Sequence, residues 1–240
     1  TINVNALLAC CHLDIPPSAP TVLPDPALGN GLTLALARDE AFSFYYQDNL
    51  DLLENAGVRI VPFSPLHDTR LPPCQMVWLG GGYPELYAGQ LAGNLSMLAS
   101  LRACCARGTP VYAECGGLMY LGRTLTDQRQ QTHTLAGIID GHSRMGKRLT
   151  RFGYCEARAR TDTLLAPAGD VVRGHEFHYS DFETALSPVL TCTKQRDGQV
   201  VRQWEGGWQV GNTFASYLHV HFGQAPQRLN RWLQTARSVL

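Results

Sequence analysis

The chain has 240 residues, enough for one large domain or two small ones, and its 20 basic residues balance its 20 acidic residues. A formal net charge of zero gives no basic surface, so nucleic acid is not expected as a partner. No apolar run approaches the roughly 18 residues of a membrane span, and the absence of an early basic residue argues against a secretory signal. Eight irregularly spaced cysteines favour reduced thiols in the cytoplasm over a disulfide framework, and no membrane partner is expected, because long apolar runs are missing.

The first residues differ in character from the rest of the chain. Residues 1–11 are typical of the end of a helix, and residues 16–26 hold five of the 14 prolines, a composition typical of an interdomain spacer. We therefore expect residues 1–27 to be the end of a preceding domain with a proline-rich linker. Residues 28–240 are then one domain at the C-terminal end of a longer polypeptide.

Short apolar segments alternate with helical patterns from residue 32 to residue 114. The periodicity predicts strands at 32–37, 58–63, 76–79 and 110–114, one helix near 50–56 that stops at Gly57, and one through 91–105 that closes at Gly108. Alternating strands and helices predict an α/β fold with a parallel sheet and right-handed crossovers. Ligands of such sheets bind beyond the carboxyl ends of the strands.

Beyond about residue 130 the pattern changes to strands. Alternating segments at 149–160, 171–179, 189–194 and 208–215 predict a strand-rich, partly antiparallel second half, followed by a final helix with Leu229 and Trp232. The expected fold class is thus flavodoxin-like α/β, with a parallel core and a strand-rich, mixed second half.

Cys115 follows the apolar segment 110–114 and is followed by Gly116 and Gly117. A nucleophile at a sharp strand-to-helix turn needs small neighbours, because its backbone is strained and the next turn packs closely. The helix start favours the reactive thiolate, and the Gly116 amide is placed to face an oxyanion. A buried, inert core cysteine is the alternative.

A second glycine cluster, Gly80–Gly82, follows the predicted strand 76–79. Glycines there let backbone N–H groups face a ligand without obstruction, so they are candidates for the second oxyanion donor. A plain tight turn is the alternative.

Two late histidines, His219 and His221, are candidates for the base that a catalytic thiol needs. They would share one face of a strand, so their spacing does not choose between them. With His175 and His178 they form a weak metal pattern, because no paired cysteine motif accompanies them, and no metal is expected. The cluster 173–180 is better interpreted as a surface for substrate or domain docking.

Residues 141–148 nearly match a phosphate-binding loop, but Arg148 stands where such a loop has a hydroxyl residue. No strand–loop–helix context supports a nucleotide site there either, so any nucleotide would bind to another domain.

With these residues in place, the chain resembles the class I (triad-type) glutamine amidotransferases, in their cobyrinate and cobyrate branch. The resemblance covers residues 28–240. It depends on the stretches 35–46, 61–66, 78–85, the Cys115 turn, 174–180 and 215–219. The sequence Gly-His-Glu-Phe-His-Tyr-Ser at 174–180 is similar to that of a,c-diamide synthases rather than cobyric acid synthases.

The resemblance implies that Cys115 is the nucleophile, His219 the base, and the Gly82 and Gly116 amides the oxyanion hole, with Gly81 beside the substrate. One departure matters, because the wider class has His-Pro-Glu where this chain has His219-Val220-His221. The orienting carboxylate has no counterpart at its expected position, which predicts a Cys–His dyad. Glu176 and Asp181 are candidates for it only as nearby carboxylates.

The resemblance also implies a function. Glutamine hydrolysis through a thioester would supply ammonia for amidation of the a and c carboxylates of a corrinoid, cobyrinic or hydrogenobyrinic acid. ATP and Mg²⁺ would serve a preceding synthase domain, and no cofactor is expected in this chain. A stand-alone cysteine hydrolase on the same fold and a non-catalytic docking module are the competing interpretations.

Overall fold

The structure, a computed structural model, describes residues 2–11 and 24–239. The helices are α1 Val4–Cys10, α2 Pro26–Gly29, α3 Gln47–Asn55, α4 Ala88–Gly93, α5 Leu95–Ala106, α6 Gly116–Leu121 and α7 Gln227–Ser238. The strands are β1 Thr33–Ala37, β2 Phe42–Phe44, β3 Arg59–Phe63, β4 Met76–Leu79, β5 Gly81–Gly82, β6 Val111–Glu114, β7 Thr124–Thr126, β8 Thr132–Thr134, β9 Gly141–Met145, β10 Arg151–Ala159, β11 Val171–His178, β12 Ser180–Thr184, β13 Leu190–Arg196, β14 Gln199–Gly206, β15 Trp208–Val210 and β16 Thr213–Ser216.

A six-stranded sheet with the order β15-β16-β6-β4-β1-β3 forms the centre of the fold. Its strands pair in parallel except for β15, which is antiparallel to β16. The strands of its middle are buried on both faces, as expected for short apolar runs covered by helices. The carboxyl ends of β4, β6 and β16 therefore meet at one edge, where Gly80, Cys115 and Tyr217 follow directly.

Successive residues of the central strands contribute to two different cores, because strand side chains alternate between faces. On one face, Val77 and Leu79 pack with the apolar sides of α4, α5 and α6. On the other, Met76 and Trp78 pack with α3, α7 and the inner face of strands β10, β11, β13 and β14. Two cores on one sheet make a layered α/β domain.

The second half of the chain forms two further four-stranded sheets. One has the antiparallel order β11-β10-β13-β14 and the other the order β12-β9-β7-β8, in which β7 and β9 are parallel. An isolated antiparallel bridge joins His175 of β11 to His219. This bridge connects the antiparallel sheet to the segment after β16, at the carboxyl edge of the central sheet.

The α/β class, the parallel core and the strand-rich second half are confirmed. The predicted strands correspond to β1, β3, β4 and β6, and the predicted final helix to α7.

Two elements predicted to be continuous are each divided into two in the structure. The helix through 91–105 is two helices, α4 and α5, because Asn94 leaves helical geometry (φ −82°, ψ 64°) and its side chain caps α5 at the Met97 amide. The segment 208–215 is likewise two antiparallel strands, since Gly211 (φ 56°) turns the chain between β15 and β16.

The N-terminal region is described only in part. Helix α1 has no buried residue, and the predicted spacer prolines Pro16, Pro17 and Pro20 lie outside the described residues. Pro26 begins α2, whose carbonyl oxygens at Ala27 and Leu28 accept hydrogen bonds from Arg237 of α7. The assignment of residues 1–27 to a linker and a preceding domain stays a prediction.

None of the helices in the described ranges has the length and apolar character needed to cross a membrane.

Candidate functional site

Cys115 occupies a strained backbone turn between β6 and α6. Its φ of 47° and ψ of −99° are uncommon for a residue with a side chain, and such strain is typical of nucleophile turns. Its amide donates to the Ser216 carbonyl (2.8 Å), and the Gly117 amide donates to the Gly80 carbonyl (3.1 Å). A side chain at Gly117 would collide with the Leu79 carbonyl. The close approach of the Leu79 carbonyl therefore explains why a small residue is needed next to the nucleophile, as predicted.

Cys115 is 7% exposed, and its Sγ lies 4.0 Å from the Phe177 carbonyl oxygen of β11. The antiparallel sheet thus borders the site. All eight cysteines are free thiols.

His219 is held by its backbone and by the walls around its ring. Its N–H and C=O both exchange hydrogen bonds with His175 (2.8 and 2.9 Å). The imidazole packs edge-on against Phe44 at 4.7 Å between ring centroids, and a Cβ on Gly81 would lie only 2.5 Å from its Cε1. His219 is 5% exposed, and its ring has little room to turn.

The next residues are fixed by the buried Asn49 of α3. Its side-chain amide donates to the Val220 carbonyl and accepts from the Phe222 amide, both at 2.7 Å. The side chain of Asn49 thereby supplies hydrogen-bond partners to two buried backbone groups that no strand pairs.

The pKa of His219 depends on its two polar neighbours, Cys115 and Glu114. Burial alone lowers this pKa, but polar contact with the side chains of Cys115 and Glu114, together with their negative charges, raises it to about 10. The imidazolium form is therefore favoured at neutral pH. Cys115 and His219 are 104 positions apart in sequence, and the fold brings them together in one site.

Glu114 is the site residue that the sequence reasoning missed. It is 1% exposed, and its Oε2 lies 3.6 Å from His219 Nδ1, an ion-pair distance. The sequence does hold a signal for it, because a carboxylate at the end of a fully buried strand requires a partner.

The carboxylates proposed from sequence do not face His219. Glu176 lies 3.5 Å from His178 Nε2 and accepts from the Trp204 indole at 3.4 Å. With Asp181 it lines a separate cavity of about 110 Å³.

His219 and His221 do not share a strand face, contrary to the prediction. Residues 217–221 form no strand, and His221 Nε2 contacts Asp48 Oδ2 at 2.9 Å in a partly exposed pair. The structure therefore separates the two histidines that spacing left equivalent.

The two predicted oxyanion donors are neighbours. A Cβ built on Gly116 would lie 3.2 Å from the Gly82 amide nitrogen, so the two glycine backbones meet beside Cys115. Gly116 is the first residue of α6, and the first N–H groups of a helix have no partner within it. Two amides next to a thiol are the usual composition of an oxyanion hole.

The histidines of the weak metal pattern do not converge. His178 Nδ1 contacts the Ser180 carbonyl and its ring stacks on Tyr217, whereas His175 lies against Phe152 and Tyr154. Within residues 2–11 and 24–239, no group of three or more metal-ligating side chains is arranged to hold an ion.

Comparison with known proteins identifies the family of this domain. Residues 33–227 match the model of the CobB/CobQ-like glutamine amidotransferase domain. The chain is 63% identical over its full length to the cobyrinate a,c-diamide synthase of Salmonella typhimurium, and 50% identical over 81% of its length to that of Listeria monocytogenes. It spans about half of these relatives, 52% and 43% respectively.

Solved structures share the fold. A chain of the PurLQS structure from Thermotoga maritima superimposes with a TM-score of 0.55 and 15% identity, over 86% of this chain and 98% of that one. With a family match over most of its length, this chain belongs to the CobB/CobQ-like glutamine amidotransferases.

Proposed function

We propose that this chain is the glutaminase part of a cobyrinate a,c-diamide synthase, with Cys115 as nucleophile and His219 as acid and base. The observation that carries the proposal is the strained Cys115 turn beside a buried histidine with a raised pKa. The substrate assignment is supported by 63% identity to the Salmonella typhimurium synthase.

The reaction converts glutamine and water into glutamate and ammonia. Cys115 Sγ attacks the side-chain amide carbon, and the Gly82 and Gly116 amides stabilise the negative oxygen of the tetrahedral intermediate. The His219 imidazolium gives its proton to the leaving nitrogen, and ammonia departs from a glutamyl thioester. His219 then takes a proton from the water that attacks the thioester, and the thiolate leaves.

Ammonia would next amidate the a and c carboxylates of a corrinoid, in a reaction that needs ATP and Mg²⁺. The chain's own near match to a phosphate-binding loop is the wrong structure for that role, since Gly141–Met145 is strand β9. We therefore assign nucleotide chemistry to a part of the protein other than the described residues.

An aromatic face beside the thiol is our candidate for docking that amidating part. The outward residues of β10 and β11 include Phe152 (60% exposed), Tyr154 (78%) and Phe177 (42%), with Tyr179 (40%) just after β11. Neighbouring rings lie within 6 Å of one another, and the carbonyl of Phe177 borders Cys115. Exposed apolar groups of this kind mark interaction surfaces. The position agrees with the sequence interpretation of 173–180 as a docking cluster.

The decisive experiment compares two nitrogen sources in the full-length polypeptide that carries this chain. With ATP, Mg²⁺ and cobyrinic acid, Cys115→Ser should lose glutamine-dependent amidation and retain amidation driven by free ammonia. His219→Ala should behave in the same way. Glutamine-dependent amidation that survives in Cys115→Ser would refute the nucleophile assignment.

Covalent labelling separates the remaining interpretations. A glutamine-analogue electrophile should modify Cys115, and the double variant Cys10→Ser/Cys11→Ser, which removes two exposed thiols, should label equally well. Absence of labelling would favour a non-catalytic docking module. Hydrolysis of esters or peptides in preference to glutamine would favour a stand-alone hydrolase.

A further inference from the structure

A catalytic imidazole needs its second ring nitrogen held, because that contact sets the tautomer and stabilises the imidazolium during proton transfer. In this chain, the ring of His221, two residues after His219, contacts Asp48 and so does not serve His219. Among the described residues, His219 Nδ1 is buried and has no hydrogen-bond partner. The group nearest to satisfying it is a carboxylate oxygen of Glu114 at 3.6 Å.

We propose that Glu114, the residue immediately before the nucleophile, is the positioning carboxylate of His219, so that the site is a triad of Cys115, His219 and Glu114. The inference rests on the proposed glutaminase function. It replaces the dyad expected from sequence, and it takes the carboxylate from the strand that delivers the nucleophile.

The two oxygens of Glu114 have different partners. Oε1 accepts from the Val220 amide at 3.0 Å and from the Tyr112 hydroxyl. Burial, and then the charge of Glu114, raise the pKa of Tyr112 well above its ordinary value, so the phenol remains a donor. Oε1 is thereby saturated, and Oε2 is left to face His219.

Charge and burial make this pairing functional as well as structural. A carboxylate and an imidazole that are 1% and 5% exposed are screened little by water, so the Glu114 carboxylate favours the imidazolium form of His219. With Nδ1 facing Glu114, Nε2 is the nitrogen available to Cys115 and to the leaving ammonia. The separation of 3.6 Å is slightly longer than a hydrogen bond, and such contacts commonly shorten when substrate binds.

The test is Glu114→Gln, which keeps the shape of the side chain and an oxygen for the Val220 amide but removes the charge. In the full-length protein we expect kcat for glutamine hydrolysis to fall at least about 100-fold with KM within about threefold, because the loss concerns proton transfer and not binding. Glu114→Asp should recover part of the loss. Asp127→Asn, a buried carboxylate that contacts His133 instead, is the matched control and should stay within about threefold.

A second measurement does not depend on activity. In a Cys115→Ser background, NMR titration of ¹⁵N-labelled histidine should show the pKa of His219 falling by at least about one unit when Glu114→Gln is added. An unchanged titration, or near-normal kcat in folded Glu114→Gln, would overturn the proposal. If wild-type protein did not hydrolyse glutamine, the proposed function would fail while the titration still decided the role of Glu114.

Discussion

Gly81→Ala should impair the site by displacing the His219 ring, although the substitution removes no catalytic group. A Cβ at position 81 would lie 2.5 Å from His219 Cε1 and 3.4 Å from Nδ1. Carbon atoms in contact prefer about 3.5–4.0 Å, so in Gly81→Ala the imidazole must retreat by about 1 Å. The methyl group itself cannot move away freely, because it would also lie 3.2 Å from Phe44 Cβ.

The expected loss follows from this displacement. Misplacing a catalytic group by about 1 Å costs on the order of 100-fold in rate, and overpacking of a buried site costs about 1–3 kcal/mol of stability. We therefore expect kcat/KM of the glutaminase to fall about 100-fold while the protein remains folded. The assay is glutamate release, with thermal unfolding of the same sample.

Gly93→Ala provides the control, because a Cβ at position 93 has no atom within 4 Å among the described residues. It should leave activity unchanged and should not lower stability, because Ala at a helical position is at least as favourable as Gly. Gly81→Ala with activity within threefold of wild type would show that Gly81 and Phe44 do not confine the His219 ring.

Three further predictions concern His219 or the backbone segment that holds it. Gly174→Ala should lower both activity and stability, because its Cβ would lie 2.5 Å from the His219 carbonyl oxygen and open the bridge to β11; glutaminase assays and thermal unfolding check this. Asn49→Ala should lower the free energy of unfolding by about 2–4 kcal/mol in denaturant titrations, since it leaves the Val220 carbonyl and the Phe222 amide buried without partners. Finally, the folded-state pKa of His219, about 10, exceeds its ordinary unfolded value of 6.5, so its contribution to stability is complete below about pH 6.5 and is lost as the pH rises through 10. His219→Gln should flatten that part of the stability profile, and an equal slope in both proteins would contradict the assignment.

The nucleophile and its glycines were predictable because their signal is local. A strained turn needs small residues next to it in sequence, so the consecutive residues Cys115, Gly116 and Gly117 indicate such a turn. The strands β1, β3, β4 and β6 were predictable for a similar reason, since short apolar runs between helical patterns have few alternatives.

The partner of His219 was not predictable in the same way. Glu114 and His219 are 105 positions apart, and their contact depends on the pairing of β6 with β16. The choice between His219 and His221 likewise depends on the bridge to His175, which is a contact between two sheets. The break at Asn94 escaped prediction because leucines at helical spacing continue across it.

The position of His219 beyond the end of the sheet explains how consecutive residues can serve one imidazole. Glu114 follows Tyr112 on the face of β6 that packs against α7, whereas Cys115 belongs to the core on the opposite face. A group within the sheet layer could not contact both side chains, but one past the strand ends can, provided that its irregular segment is fixed. Glu114 itself supplies part of that fixation through the Val220 amide. Removing the whole side chain would therefore mix loss of anchoring with loss of charge, and the isosteric amide is the substitution that separates them.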